Sequence, residues 1–176
     1  METMGTKDVE DRKILKARAS RLAAPIRNEA ESERFIEIMT FMISGETYAL
    51  PTDRIGSVTS CMNLCPIPGT PGHIMGIANV SGELLPIVDI GPRFGLAPGE
   101  PRKDSRIIVL ENPAIKFGIF AEKVMGSGSV GTCGLKPPLG EGKGPSSYIL
   151  NVMLDGTMLM NADAILADAS LIVNDK

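Results

Sequence analysis

Gly76-Ile77-Ala78-Asn79-Val80-Ser81-Gly82-Glu83-Leu84-Leu85-Pro86-Ile87-Val88-Asp89-Ile90 reads as a strand, a tight turn at Ser81-Gly82 and a second strand. From Leu84 to Ile90 the second strand carries a single ionisable group, Asp89, so it is buried or covers something. The stretch has an echo at Asp155-Gly156-Thr157-Met158-Leu159-Met160-Asn161-Ala162-Asp163. An offset of 74 takes Gly82 to Gly156, Leu85 to Leu159 and Asp89 to Asp163. A second echo lies upstream. Tyr48-Ala49-Leu50 and Asp53-Arg54-Ile55 recur at an offset of 69 as Phe117-Gly118-Ile119 and Glu122-Lys123-Val124. Two echoes in the same order indicate one half-domain used twice. The offset grows in the glycine-rich stretch 126–146, a natural place for an insertion.

Composition narrows the function. The chain has 176 residues, 43% of them hydrophobic, enough to bury a core. A net charge of −3 argues against nucleic acid, which asks for a basic face. The 3 cysteines are an odd number, with no signal peptide and no apolar run long enough to span a bilayer, which predicts a cytoplasmic protein without membrane insertion. Aromatic residues are scarce at 4%, while the 10 methionines suit irregular cores or adaptable surfaces.

Residues 1–34 predict a short amphipathic helix. Asp8, Glu10 and Asp11 open it, Lys16, Arg18 and Arg21 close it, and Leu15, Ala19 and Leu22 form a narrow stripe before Pro25. This helix either docks on its own domain, frays, or serves a partner. From residue 35 the period changes to that of strands. Nine short strands are predicted: 35–43, 47–50, 57–62, 73–80, 83–89, 106–110, 116–121, 148–154 and 157–160. Single helical turns are expected at 92–94 and 161–166. Residues 126–146, with 7 glycines and 3 prolines, are expected to form a mobile loop. The domain is placed at 35–168, with a tail at 169–176.

No reacting group assembles from the sequence. Gly126-Ser127-Gly128-Ser129-Val130-Gly131 spells G-x-G-x-x-G, but Gly134, Pro137 and Pro138 follow where a phosphate site needs a helix N-terminus. Cys61 and Cys65 lack zinc spacing, and His73 is the sole histidine. Asp89 and Asp163, equivalent in the two repeats, read as structural caps. No catalytic residue, metal or cofactor is predicted, which leaves a binding protein.

Residues 35–166 resemble the CheW family, adaptors that couple bacterial chemoreceptors to the chemotaxis histidine kinase. The resemblance rests on Phe41 to Pro51 with its Ala49-Leu50-Pro51 ending, on Ile55 and Val58, and on the Pro68-Gly69-Thr70-Pro71 turn. It continues through Gly76 to Ile90, Ile107 to Leu110 and Phe117 to Val124. It implies an all-β fold of two pseudo-symmetric, five-stranded SH3-like barrels, with no enzyme activity and no cofactor. It implies two partners, the cytoplasmic tip of a methyl-accepting chemoreceptor and the regulatory domain of the kinase, itself CheW-like. Ile55, Val58, Ile107 and Gly118 match receptor-groove positions; the other reading is that they fill the core between the barrels. At the turn, Ser81 stands before Gly82 where the family has an arginine that contributes to signalling assembly. Glu122 replaces a family aspartate. The serine leaves room for an adaptor of a non-flagellar, chemotaxis-like pathway. From a different class, the alternative is a small β-barrel enzyme with an unrecognised site.

Overall fold

The computed structural model describes residues 34–138 and 145–171. The chain divides into two units, Met1–Arg34 and Phe35–Lys176. Residues 1–33, which hold the expected amphipathic helix, lie outside the described residues, as does 172–176 of the tail.

The described chain is built from strands: β1 (Phe35–Ile43), β2 (Glu46–Pro51), β3 (Ile55–Ser60), β4 (Leu64–Cys65), β5 (Ile74–Val80), β6 (Glu83–Val88), β7 (Arg106–Glu111), β8 (Lys116–Ala121), β9 (Lys123–Gly131), β10 (Ile149–Val152) and β11 (Met158–Met160). One short helix, α1 (Ala162–Ala167), is capped by the Asn161 side chain, which accepts from the Ala164 N–H. The predicted turn near Pro92 is a 3-10 turn over Gly91–Phe94.

The strands form two sheets. One has the order β10-β11-β2-β1-β9 and the other β3-β7-β8-β6-β5-β4. Exchanging the repeats converts one order into the other. Each sheet takes the first two strands of one repeat and all the remaining strands of its twin. The hairpins β1–β2 and β7–β8 correspond at an interval of 69, since Phe41 pairs with Tyr48 and Leu110 with Phe117. A register break falls at the same place in both halves, between Thr40 and Phe41 and between Ile55 and Ser57. The sheets differ in one detail from two five-stranded barrels. The two-residue β4 adds a sixth strand, and its counterpart is a single bridge between Lys136 and Val152.

The registers correct the second interval. Ile74 pairs with Val88 and Ile149 with Met160, each before a register break, so the outgoing strands correspond at 75. The returning strands correspond at 72, because Ile87 lies beside Gly118 as Leu159 lies beside Ala49. The second hairpin is three residues shorter, and aligning the glycines of the two turns hides this. Leu159 is thus the counterpart of Ile87, not Leu85. Asn161, not Asp163, is the counterpart of Asp89. The N–H of Asp89 donates to the His73 carbonyl (2.7 Å) and that of Asn161 to the Tyr148 carbonyl (2.8 Å).

Another correction concerns 126–146. Residues 126–131 are not loop but the greater part of β9, paired with β1 from Phe35 to Met42. The apolar β1 has a second edge whose backbone groups need partners, and edge position tolerates glycine and serine. The packed unit also runs past 168. Leu171 is 2% exposed and belongs to the central core.

That core joins both sheets. Phe41, Tyr48 and Leu50 from one meet Ile108, Phe117 and Ile119 from the other. A second cluster, with Leu85, Ile87, Ile107, Val109 and Phe120, fills the six-stranded half. A smaller one, Ile38, Ala49 and Leu159, fills the other. Because β7 lies between two clusters, Ile107 to Leu110 are buried on both faces.

Candidate partner-docking site

The four groove candidates separate. β3 is an edge strand, paired only with β7, and leaves its outer backbone groups free among the described residues. Val58 on this strand is 36% exposed. Ile55 is half-buried against the central core. Their partners across the ladder are Ile108 and Leu110, which face that same core, so Ile55 and Val58 share a face.

Ile107 and Gly118 lie elsewhere. Ile107 is fully buried, and a Cβ on Gly118 would come within 2.5 Å of Ile107 Cγ2 and Ile87 Cδ1. Glycine here makes room for two isoleucines of the six-stranded half rather than for a visiting backbone. These two residues form the packing behind β7, not a groove wall, because both faces of β7 are covered by the chain's own side chains. Their match to groove positions rests on the family resemblance alone, because a strand buried on both faces has no alternation that separates inside from outside.

Ser81 and Gly82 sit at the tip of the β5–β6 hairpin, with φ of 54° and 91°. Both central residues being left-handed marks a type I′ turn. The Asn79 Oδ1 accepts from the Gly82 N–H at 2.8 Å, which holds the turn. Ser81 is exposed, and Leu84 beside it is 66% exposed.

The remaining polar groups of interest are structural. Asp89 is 1% exposed, and its carboxylate accepts from the N–H groups of Gly91 (2.9 Å) and Gly99 (2.7 Å), closing the intervening loop. Asp163 is paired with Arg54, whose Nε lies 2.7 Å from its Oδ1, tying α1 of the second repeat to the entry of β3. Glu122 accepts from the Gly45 N–H at 3.3 Å. Cys61 is buried, its thiol pushed up by burial, and all three cysteines are free. The G-x-G-x-x-G run lies in strand β9. Among the described residues no group of three metal-ligating side chains assembles. No helix among them is long and apolar enough to cross a membrane.

Two interleaved β halves that exchange strands around a shared core define a duplicated, all-β domain. The CheW-like domain model matches residues 37–170, and the chain belongs to that family. The chain is similar to the chemotaxis protein CheW of Helicobacter pylori, at 26% identity over 54% of this chain and 58% of that one. It is 29% identical to Protein PilI of Pseudomonas aeruginosa, over 62% of this chain and 61% of that one. Protein FrzA of Myxococcus xanthus is also 29% identical, over 66% and 73%. The matches thus span about three fifths of the first two relatives. The fold is similar to the crystal structure of the scaffolding protein TtCheW from Thermoanaerobacter tengcongensis, with a TM-score of 0.63 and 25% identity over 76% of this chain and 87% of that one.

Proposed function

We propose that this protein is a non-enzymatic adaptor that couples a chemoreceptor to a chemotaxis-type sensor histidine kinase, working in the cytoplasm at receptor arrays. The observation that carries the reading is the family match over nearly all of the β fold, 37–170. The exposed Val58 beside the half-buried Ile55, on a strand with a free edge, supports a docking strip for the receptor's tip. An amphipathic helix is recognised by apolar anchors of this kind. Ile107 and Gly118 support that strip from behind. The regulatory domain of the kinase, itself CheW-like, is the second partner.

Val58→Glu tests the strip. The variant is expected to unfold cooperatively, with stability within about 0.5 kcal/mol of the parent, as for surface changes. It is expected to lose receptor binding in a co-sedimentation assay. Undiminished binding by the folded variant overturns the strip. Loss of cooperative unfolding assigns Val58 to the core.

A narrower reading, an adaptor of a non-flagellar, chemotaxis-like pathway, is favoured by Ser81. A side chain without charge stands where typical family members carry a cation. An adaptor serving its own receptor and kinase pair has no need of that contact.

A further inference from the structure

The edge strands β3 and β9 are equivalent in the duplicated fold, and they differ in two respects. Ile108 pairs with Val58 and Met39 with Ser127, so at the interval of 69 the exposed valine of β3 has a serine for its twin. The same interval takes Arg54, at the entry of β3, to Lys123. Arg54 grips Asp163. Its Nε lies 2.7 Å from one carboxylate oxygen and its Nη2 3.4 Å from the other, a two-pronged contact between residues 109 apart in sequence. Asp163 lies two residues after Asn161, so its twin lies two residues after Asp89. That twin is Gly91, which has no side chain. Among the described residues Lys123 has no ion-pair partner. One edge thus carries both an apolar anchor and an ion pair, and the other carries neither.

The pair sits where β3 is held least. The ladder to β7 has a single residue pair, Ile55 with Leu110, before it breaks at Gly56. Gly56 is the extra residue of a bulge, where a strand bends and its side chains are re-aimed. On its other side β3 has no neighbouring strand among the described residues. The ladder therefore leaves the angle between Ile55 and Val58 weakly fixed. The Arg54–Asp163 contact supplies the missing restraint, because it ties the residue before Ile55 to α1. That helix is itself anchored, with Ala162, Ile165 and Leu166 in the central core. Asp53, 3.5 Å from Arg54 Nη1, adds charge but lies on the same turn and tethers nothing. The side chains of Arg54 and Asp163 are 38% and 66% exposed, so water screens the pair and the global fold owes it little.

We propose that Arg54 and Asp163 are positioning residues for receptor docking. Their contact clamps the start of β3 so that Ile55 and Val58 are presented together to one face of the receptor's helix. The inference rests on the docking strip proposed above. Neither charged side chain touches the receptor. They act through Ile55, by fixing beforehand an arrangement that binding would otherwise have to order.

The experiment is co-sedimentation of the full-length chain with membranes that carry the host's chemoreceptors and lack its kinase, alongside urea midpoints. Arg54→Gln and Asp163→Asn are each expected to weaken binding about fivefold, as when only a fifth of the molecules present the competent strip, with midpoints equal to the parent's. The double variant Arg54→Gln/Asp163→Asn is expected to lose no more than either single one, because both changes remove the same link. The exchanged pair Arg54→Asp/Asp163→Arg, which restores the link with its charges reversed, is expected to recover most of the binding. Lys123→Gln, at the twin position, is expected to bind as the parent does. Should a single variant fail to fold, the exchanged pair still decides. Parental binding by both single variants, while Val58→Glu loses it, overturns the clamp and leaves the strip standing. Parental binding by Val58→Glu overturns the strip and the clamp with it. A loss for Arg54→Gln alone, or no recovery in the exchanged pair, puts Arg54 in direct contact with the receptor and overturns the positioning role.

Discussion

Gly118 and Val58 match the same groove in the family resemblance but sit in opposite settings, one buried and the other 36% exposed. A Cβ at Gly118 meets two isoleucine side-chain carbons at 2.5 Å. Gly118→Ala is therefore expected to destabilise by about 1–3 kcal/mol through overpacking, read as a lower urea midpoint. A midpoint equal to or above the parent's would show that the isoleucines yield freely. At Ser81 the question is a partner rather than packing. The residue is exposed and already left-handed, so Ser81→Arg changes the surface more than the fold. With a conventional receptor and kinase, the added cation is expected to strengthen ternary assembly by roughly 1–3 kcal/mol, as for hydrogen bonds to charged groups. With the native partners it is expected to be neutral or harmful, since an unpaired cation is pressed into the interface. Pull-down titrations against both sets check this. Equal gains with both would sink the idea of specialised partners.

Among the elements, the C-terminal 3-10 turn over Ala169–Leu171 is fastened by a cluster of polar groups. Asp168 accepts from the Ser170 N–H at 2.8 Å, from the Ser170 hydroxyl and from the Tyr148 hydroxyl. Arg93 donates to the Ser170 carbonyl at 3.2 Å, which links the turn to the one after β6. The Ser170 hydroxyl and then the Tyr148 hydroxyl hold the Asp168 carboxyl below its ordinary value. A carboxylate whose folded value is depressed contributes fully above its unfolded value of about 4, and that contribution is lost as pH falls through the folded value. Asp168→Asn is thus expected to lower stability at neutral pH and to flatten its decline below about pH 4. Urea midpoints at several pH values check this, and identical pH profiles would refute it. Elements also mark where the sequence was legible. Strands with alternating or continuous apolar residues, such as β1, β6 and β7, declared themselves. β9 did not, because glycine and serine leave no period to read. Its strand character comes from the partner β1 across the ladder, a long-range cause that no local window contains. The two-residue β4 is missed for a related reason. It is set by Gly76, whose φ of 143° and missing Cβ let the Cys65 carbonyl approach.

At the scale of the molecule, the duplication was visible as paired echoes, while the exchange of strands between repeats was not. Sequence intervals report what corresponds, and hydrogen bonds decide what pairs. The exchange means that neither repeat closes a sheet by itself. Fragments 35–101 and 102–171, expressed separately, are each expected to lack cooperative unfolding, and to regain it when mixed or co-expressed. Circular dichroism melts of each fragment and of the mixture check this. A fragment that melts cooperatively alone would refute the interdependence. The same interleaving sets a schedule for synthesis. Strand β2 is finished at residue 51, but its neighbour β11 ends at residue 160. At about 5–20 residues per second, the gap lasts roughly 5–20 s. For that interval the β2 flank of the β1–β2 hairpin stays bare, and until β8 and β9 are made, at residues 121 and 131, Phe41 and Tyr48 also lack the far side of their core and β1 its other neighbour. The ribosome thus releases this fold late and nearly all at once. Cells that make it must shelter an apolar hairpin for most of its translation.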